Sequence, residues 1–303
     1  MIVWLIAFIL SKGVRTSIKL NNLIVIVKIA IILLFLAVGF FYVKPTNWQP
    51  FFPFGGMGVL TGASLVFFAY LGFDAVSASA AEVKNPRKNM PIGIIGTLII
   101  CTILYTLVSI VLTGMVSYTK LNVADPVAFA LRLVHQNWAA GIISLGALAG
   151  GMFTMMVTMI YSSSRLIYSI GRDGLLPKAL GKVSEKHHTP PNNSMLVVTI
   201  IISFMGGFVS LDQLTSLVNI GTLIAFTFIS LGILPLRKRQ DIPNTGFKVP
   251  FYPVLPLISV FLCLLMLSTL PVETWIASAI WFIIGMFIYF TYGGVKHSQL
   301  TQD

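Results

Sequence analysis

The chain has 303 residues, 56% of them apolar and 10% charged, with a mean hydropathy of +0.91 and a net charge of +11. That balance excludes an ordinary water-soluble domain. It also removes nucleic acid as the reason for the positive charge, because the cations fall in alternate connections between long apolar runs rather than on one polar face.

In chain order, the apolar runs and their Gly, Pro and charged punctuation predict helices at approximately Met1–Leu10, Leu23–Tyr42, Val59–Ala80, Ile92–Ser117, Ala139–Ser169, Met195–Val209, Leu214–Leu236, Val254–Leu270 and Trp275–Tyr292. The expectation is an all-α membrane protein of about nine transmembrane segments, the first partial. Met1–Leu10 is too short to span alone and reads as the end of a helix whose beginning is missing. Leu23–Tyr42 is long enough to cross the hydrocarbon core, and it carries Lys28 without an acidic neighbour in the same stretch. A charge there is costly, so it marks a functional site that faces the bundle interior or a water-filled path. The alternative is a lysine that snorkels to the surface, about one and a half turns in from Asn21 and Asn22.

The third run lies within GGMGVLTGASLVFFAYLGFDAVSASAAEVKNPRKNMP, residues Gly55–Pro91. Its glycines Gly58, Gly62 and Gly72, with Asp74 near the middle, suit a broken helix whose carbonyls and dipole ends meet a charged substrate at the midplane. Gly58 and Gly62 equally suit close helix packing. In the fifth run Thr154 and Thr158 stand one turn apart on one face, where their hydroxyls either meet an ammonium or bond back to their own helix. Cys101 and Cys263 lie in apolar spans and read as small packing residues, neither disulfide nor metal pair.

Sixteen of the twenty Lys and Arg fall in Lys12–Lys19, Lys84–Lys88, Arg165–Lys186, Arg237–Lys248 and at Lys296. The intervening connections hold Lys44, Lys120 and Arg132. The first set is therefore expected in the cytoplasm, with Tyr42, Trp48, Phe51, Phe52, Trp138 and Trp275 at the outer rim.

The run FFAYLGFDAVSASAAEVKNPRKNMPIGI resembles the sixth helix and following loop of amino acid permeases of the amino acid–polyamine–organocation (APC) superfamily. NNLIVIVKIAIILLF resembles the family's fifth helix, RLIYSIGRDGLLPKALGKVSEKHHTPPN its eighth helix and next loop, and FKVPFYPVLPLISVFLCLLMLSTLPVETW the start of its eleventh and beyond. These four matches, in order, cover essentially the whole chain, and they are most like the bacterial branch related to cationic amino acid transporters. The resemblance implies one permease domain over residues 1–303, with the inverted five-helix-repeat transporter fold, amino-terminally truncated: helices one to three are absent, and with them the broken first helix that holds the substrate carboxylate.

The resemblance also implies roles. Lys28 matches the lysine whose ammonium takes the place of sodium in sodium-coupled relatives, with Thr154 and Thr158 as its partners, so that one proton replaces one cation. Phe68 matches the aromatic that covers the substrate. Phe67, Ala69 and Leu71 flank the unwound stretch whose carbonyls receive the substrate ammonium, and Tyr70 and Gly72 complete that turn. Asp74 is expected to hold the unwound backbone as a buried acceptor, the other role being a place in the proton path. Met156 and Met159 either tune side-chain selectivity or fill the core.

The function expected is secondary transport of amino acids across the cytoplasmic membrane, proton-coupled and by alternating access. A non-transporting membrane component and a polyamine or cationic amino acid carrier are the alternatives, and an embedded enzyme ranks last, since Lys28 and Asp74 are the only titratable groups expected at membrane depth. The expected partners are an amino acid, a proton and the lipid bilayer; no cofactor, nucleic acid or metal is expected. His187, His188 and Glu185 sit in a polar loop without further ligand spacing, and Glu82, Lys84, Asn85, Arg87 and Lys88 form a loop that either latches the inner gate or is solvated.

Overall fold

A computed structural model describes residues 2–11, 18–73, 85–172, 176–181, 192–238 and 247–290. Eleven α-helices, and no strand, occur among the described residues: α1 (Ile2–Ser11), α2 (Ile18–Phe40), α3 (Gly55–Tyr70), α4 (Pro86–Met115), α5 (Pro126–Leu133), α6 (Asn137–Gly146), α7 (Phe153–Arg172), α8 (Asn192–Phe208), α9 (Leu211–Leu236), α10 (Val254–Leu267) and α11 (Val272–Ile288). A π-helical stretch, Ala147–Met152, joins α6 to α7. Helix dominates because backbone N–H and C=O groups in lipid must be satisfied within their own segment.

Each of the nine expected apolar runs contains a helix, with three differences of detail. The run expected to end at Ala80 stops as α3 at Tyr70, and residues 74–84 lie outside the described residues, so Asp74, Glu82 and Lys84 receive no structural account; nor do Glu185, His187 and His188. The continuous helix expected over Ala139–Ser169 is α6, the π stretch and α7 in succession. Between α4 and α6, where only a connection is expected, α5 forms: Asp125 caps it, accepting a hydrogen bond from Ala128 N, and Pro126 begins it without needing an N–H partner. Asn22–Phe40, Pro86–Met115, Asn137–Arg172 and Leu211–Leu236 are long and apolar enough to cross a membrane, and α10 and α11, bent by 110° at the break between them, are so only when taken together. α1, α3 and α8 are shorter apolar helices.

The chain divides into two compact units. The first comprises Met1–Trp48, Val108–Val209 and Trp281–Asp303. In it Phe35 of α2 packs with Val111 and Met115 from the end of α4, Ala128 and Leu131 of α5, and Ala139, Ala140 and Ile143 of α6. Small residues let α2 and α6 approach, and a side chain on Gly146 would run into Ile31. A second cluster joins Ile6 and Leu10 of α1 to Ile160 of α7 and Met195 of α8.

The second unit comprises Gln49–Leu107 and Ser210–Ile280. Ile220 and Leu223 of α9 pack on Cys263 and Leu267 of α10 and on Leu270. A polar knot ties α3 to α9 and to Thr269, just past the end of α10. Asn219 donates from Nδ2 to the Ser64 carbonyl at 2.8 Å, and the Ser64 hydroxyl shares a hydrogen bond of 2.7 Å with Thr269 Oγ1. Between apolar helices such bonds hold segments together where the hydrophobic effect cannot.

Candidate functional site

In the first unit α2 presents Lys28, half-buried, toward the π stretch. Its Nζ donates to Thr154 Oγ1 at 2.9 Å. The same hydroxyl donates to the Gly150 carbonyl at 2.6 Å, with the Gly151 carbonyl at 3.2 Å. A hydroxyl carries one proton and two acceptor lone pairs, so Thr154 accepts a hydrogen bond from the ammonium on one side and donates one to the helix on the other. Lys28 is thereby linked to the carbonyls at the wide turn, where α6 gives way to α7.

Thr158 behaves differently from its neighbour one turn away. It is exposed, and its hydroxyl bonds back to the Thr154 carbonyl at 2.9 Å. Met156 packs beside Ile6, Leu10, Ile160 and Met195, and Met159 on the next turn is 45% exposed.

Lys28 lines a cavity of about 310 Å³. Ile31, Ile32, Phe35, Val108, Val127, Ile143, Gly146, Ala147 and Gly151 form the apolar part of its wall, and Asp125 is the other charged residue there. The Asp125 carboxylate caps α5, accepts from Ser144 Oγ at 2.9 Å on α6, and lies 3.7 Å from the Arg132 guanidinium. An acid in the same cavity as Lys28 is a residue that sequence reasoning missed. Its signal was present as Asp125-Pro126 ahead of an apolar octet, the pattern of an N-cap followed by proline at the first helical position.

The second unit holds the end of α3. There Leu71 turns extended, with φ −61° and ψ 140°, and Gly72 takes φ +117°, a left-handed conformation open to glycine at little cost. The last helical carbonyls find other partners: Leu71 N donates to Phe68 O at 3.2 Å, and the Tyr105 hydroxyl of α4 donates to Ala69 O at 2.9 Å. The Tyr105 ring also meets Tyr70 edge to face, with centroids 5.2 Å apart. Phe67 points into the α9–α10 core and meets Phe226 at 6.2 Å, Phe73 meets the same ring at 5.5 Å, and Phe68 is 42% exposed. Of the residues expected around the substrate, Phe68 to Gly72 thus sit at a broken helix end, while Phe67 is a packing residue of the second unit.

A family model described as amino acid permease matches residues 1–291. The chain belongs to the amino acid permease family. It is similar to the methylthioribose transporter of Bacillus subtilis (strain 168), with 51% identity over 301 residues that cover 99% of this chain and 65% of that protein. It is also similar to the branched-chain amino acid permease BcaP of the same organism, 46% identical over 303 residues covering 99% of this chain and 64% of the permease. The chloroplastic cationic amino acid transporter 9 of Arabidopsis thaliana is 36% identical over 236 residues, which cover 78% of this chain and 41% of the transporter. The chain thus spans just under two thirds of the length of these two bacterial relatives. Membership in a permease family and the long apolar helices make it an integral membrane protein of a transporter family, not an enzyme.

Proposed function

We propose that the chain is the coupling and substrate-handling part of a secondary transporter that carries neutral, apolar amino acids across the bacterial cytoplasmic membrane by alternating access, driven by protons. The observation that carries the proposal is the Lys28 ammonium on Thr154 Oγ1 at 2.9 Å, in a cavity whose wall is apolar apart from Lys28 and Asp125. Loss of a proton from Lys28 withdraws a charge-assisted hydrogen bond from the α7 end of the π stretch, and a proton gradient biases a conformational equilibrium only through a group that interacts differently in the two states. The end of α3 supplies the other half of the chemistry. A helix C-terminus carries partial negative charge and carbonyls without intrahelical partners, which suits the α-ammonium of an amino acid. The exposed Phe68 ring beside it offers an apolar surface for an aliphatic side chain.

The similarity to BcaP, named as a branched-chain amino acid permease, supports leucine, isoleucine or valine as substrate. A second reading follows from the 51% identity to a methylthioribose transporter: a neutral thioether sugar, which has no ammonium to offer the helix end. The gene product that contains this chain, expressed in a bacterium without its own branched-chain uptake, distinguishes the two. Labelled leucine entry that isoleucine and valine compete and methylthioribose does not is the expected result. Methylthioribose entry without leucine entry shifts the assignment to the second reading, and entry of neither refutes both.

A further inference from the structure

The hydroxyl of Tyr105, beside the Cys101 thiol, has no part in the coupling or substrate roles assigned above, yet it donates to one backbone atom of the candidate substrate site. We infer that Tyr105 is a positioning residue for the broken end of α3, a role that deepens the proposed function and rests on it for its consequence in transport. α3 ends at Tyr70 because Leu71 is extended and Gly72 left-handed. A helix that ends this way leaves carbonyls of its last turn without amide partners, and inside a membrane each such group is costly. Two of them are met here in different ways. Phe68 O takes the tightened bond from Leu71 N, which comes from the chain itself and moves with it. Ala69 O takes its bond from Tyr105, which belongs to another helix and therefore fixes the end of α3 in space.

Two contacts make the arrangement directional. The phenol reaches Ala69 O at 2.9 Å while its ring meets the Tyr70 ring edge to face at 5.2 Å and 78°. A hydrogen bond alone allows the carbonyl to swing about it, and a ring contact alone sets no carbonyl direction; together they hold both residues of the final turn. A carbonyl oxygen keeps a second lone pair, so Ala69 O remains able to accept from a substrate ammonium while Tyr105 holds it. The phenol thus preorganises the acceptor, and its loss costs affinity for the ammonium rather than speed of the conformational cycle.

The test uses Tyr105→Phe, which removes the hydroxyl and keeps the ring on Tyr70. Its first arm needs no transport: in a background with Cys101→Ala and Cys263→Ala, which leaves no competing partner for the phenol at residue 101, the rate at which N-ethylmaleimide labels Leu71→Cys is compared with and without Tyr105→Phe. Labelling is expected to rise severalfold on loss of the hydroxyl, with no change at Met57→Cys in the first turn of α3. An equal rate at Leu71→Cys, or an equal rise at both sites, overturns the inference.

The second arm measures leucine uptake by the same gene product. One neutral hydrogen bond is worth a factor of about five to ten, so Tyr105→Phe is expected to raise KM by about that much with Vmax within about twofold. Inhibition by 4-methylpentanoate, which has hydrogen in place of the ammonium and so donates nothing to Ala69 O, is expected to be unaffected. Unchanged KM, or KM and Vmax falling together, overturns the assignment. If the parent protein takes up no leucine, the proposed function has failed, and the labelling arm alone decides whether Tyr105 positions the helix end.

Discussion

Replacing Lys28 by methionine keeps most of the side chain's length and removes its charge, and the structure sets the size of the expected effect. In the proposed coupling role Lys28, whose ammonium donates to Thr154 Oγ1 among the described residues, carries one proton per transport cycle. One proton moved down one pH unit releases about 1.36 kcal/mol, which supports an accumulation ratio of about tenfold for a neutral substrate. Lys28→Met is expected to bring that ratio to about one while leucine–leucine exchange persists, because the helix end proposed to receive the substrate is built from α3 and Tyr105 and contains none of the lysine's contacts. The variant is also expected to fold, since Thr154 keeps its own bond to Gly150 O at 2.6 Å and the cavity wall beside residue 28 is apolar apart from Asp125. The assay is uptake of labelled leucine into proteoliposomes under an imposed pH gradient, with and without sodium, alongside counterflow at equal pH. Concentrative uptake that survives Lys28→Met, or uptake by the parent that requires sodium, would refute the coupling argument.

Three further outcomes concern the frame around the site. Asp125→Ala removes the α5 cap and the bond to Ser144, and is expected to lower stability in detergent by about 1 kcal/mol; Arg132→Ala, at the exposed 3.7 Å pair, is expected to change it little, so equal losses in a thermal melt would contradict the capping role. Asn219→Leu breaks the knot that joins α9 to α3, and is expected to cost about 1–2 kcal/mol. Thr222→Val, which alters a half-buried hydroxyl bonded to Val218 O of its own helix, is the control, and equal melting of the two variants would contradict the role of Asn219. Gly146→Leu forces its side chain into Ile31 and is expected to destabilise the α2–α6 contact, with recovery in the double variant with Ile31→Ala; a lack of recovery, measured by the same melt, would place the strain elsewhere.

The apolar runs, the alternate basic connections and the lysine in the second run were legible before any coordinates, because each depends on composition over windows the length of a span, and the bilayer enforces helix wherever such a window occurs. The stop in α3 was legible for a related reason: Gly72 permits a left-handed residue that the neighbouring side chains disfavour. Partners were another matter. Thr154 and Thr158 have the same spacing signal, and only the approach of α2 to the π stretch selects the first for Lys28 and leaves the second bonded to its own helix. The widened turn itself, Ala147–Met152, lies in a run whose composition reads as uninterrupted helix. Asp125 was legible as a cap but not as the acceptor for Ser144, and Tyr105 and Asn219 were out of reach altogether, since they act on atoms at least 36 residues away, at Ala69 and Ser64. Local pattern decides which segments become helices; which polar side chain meets which backbone atom is decided when those helices pack, because a polar group in an apolar surrounding takes the partner that packing brings within reach.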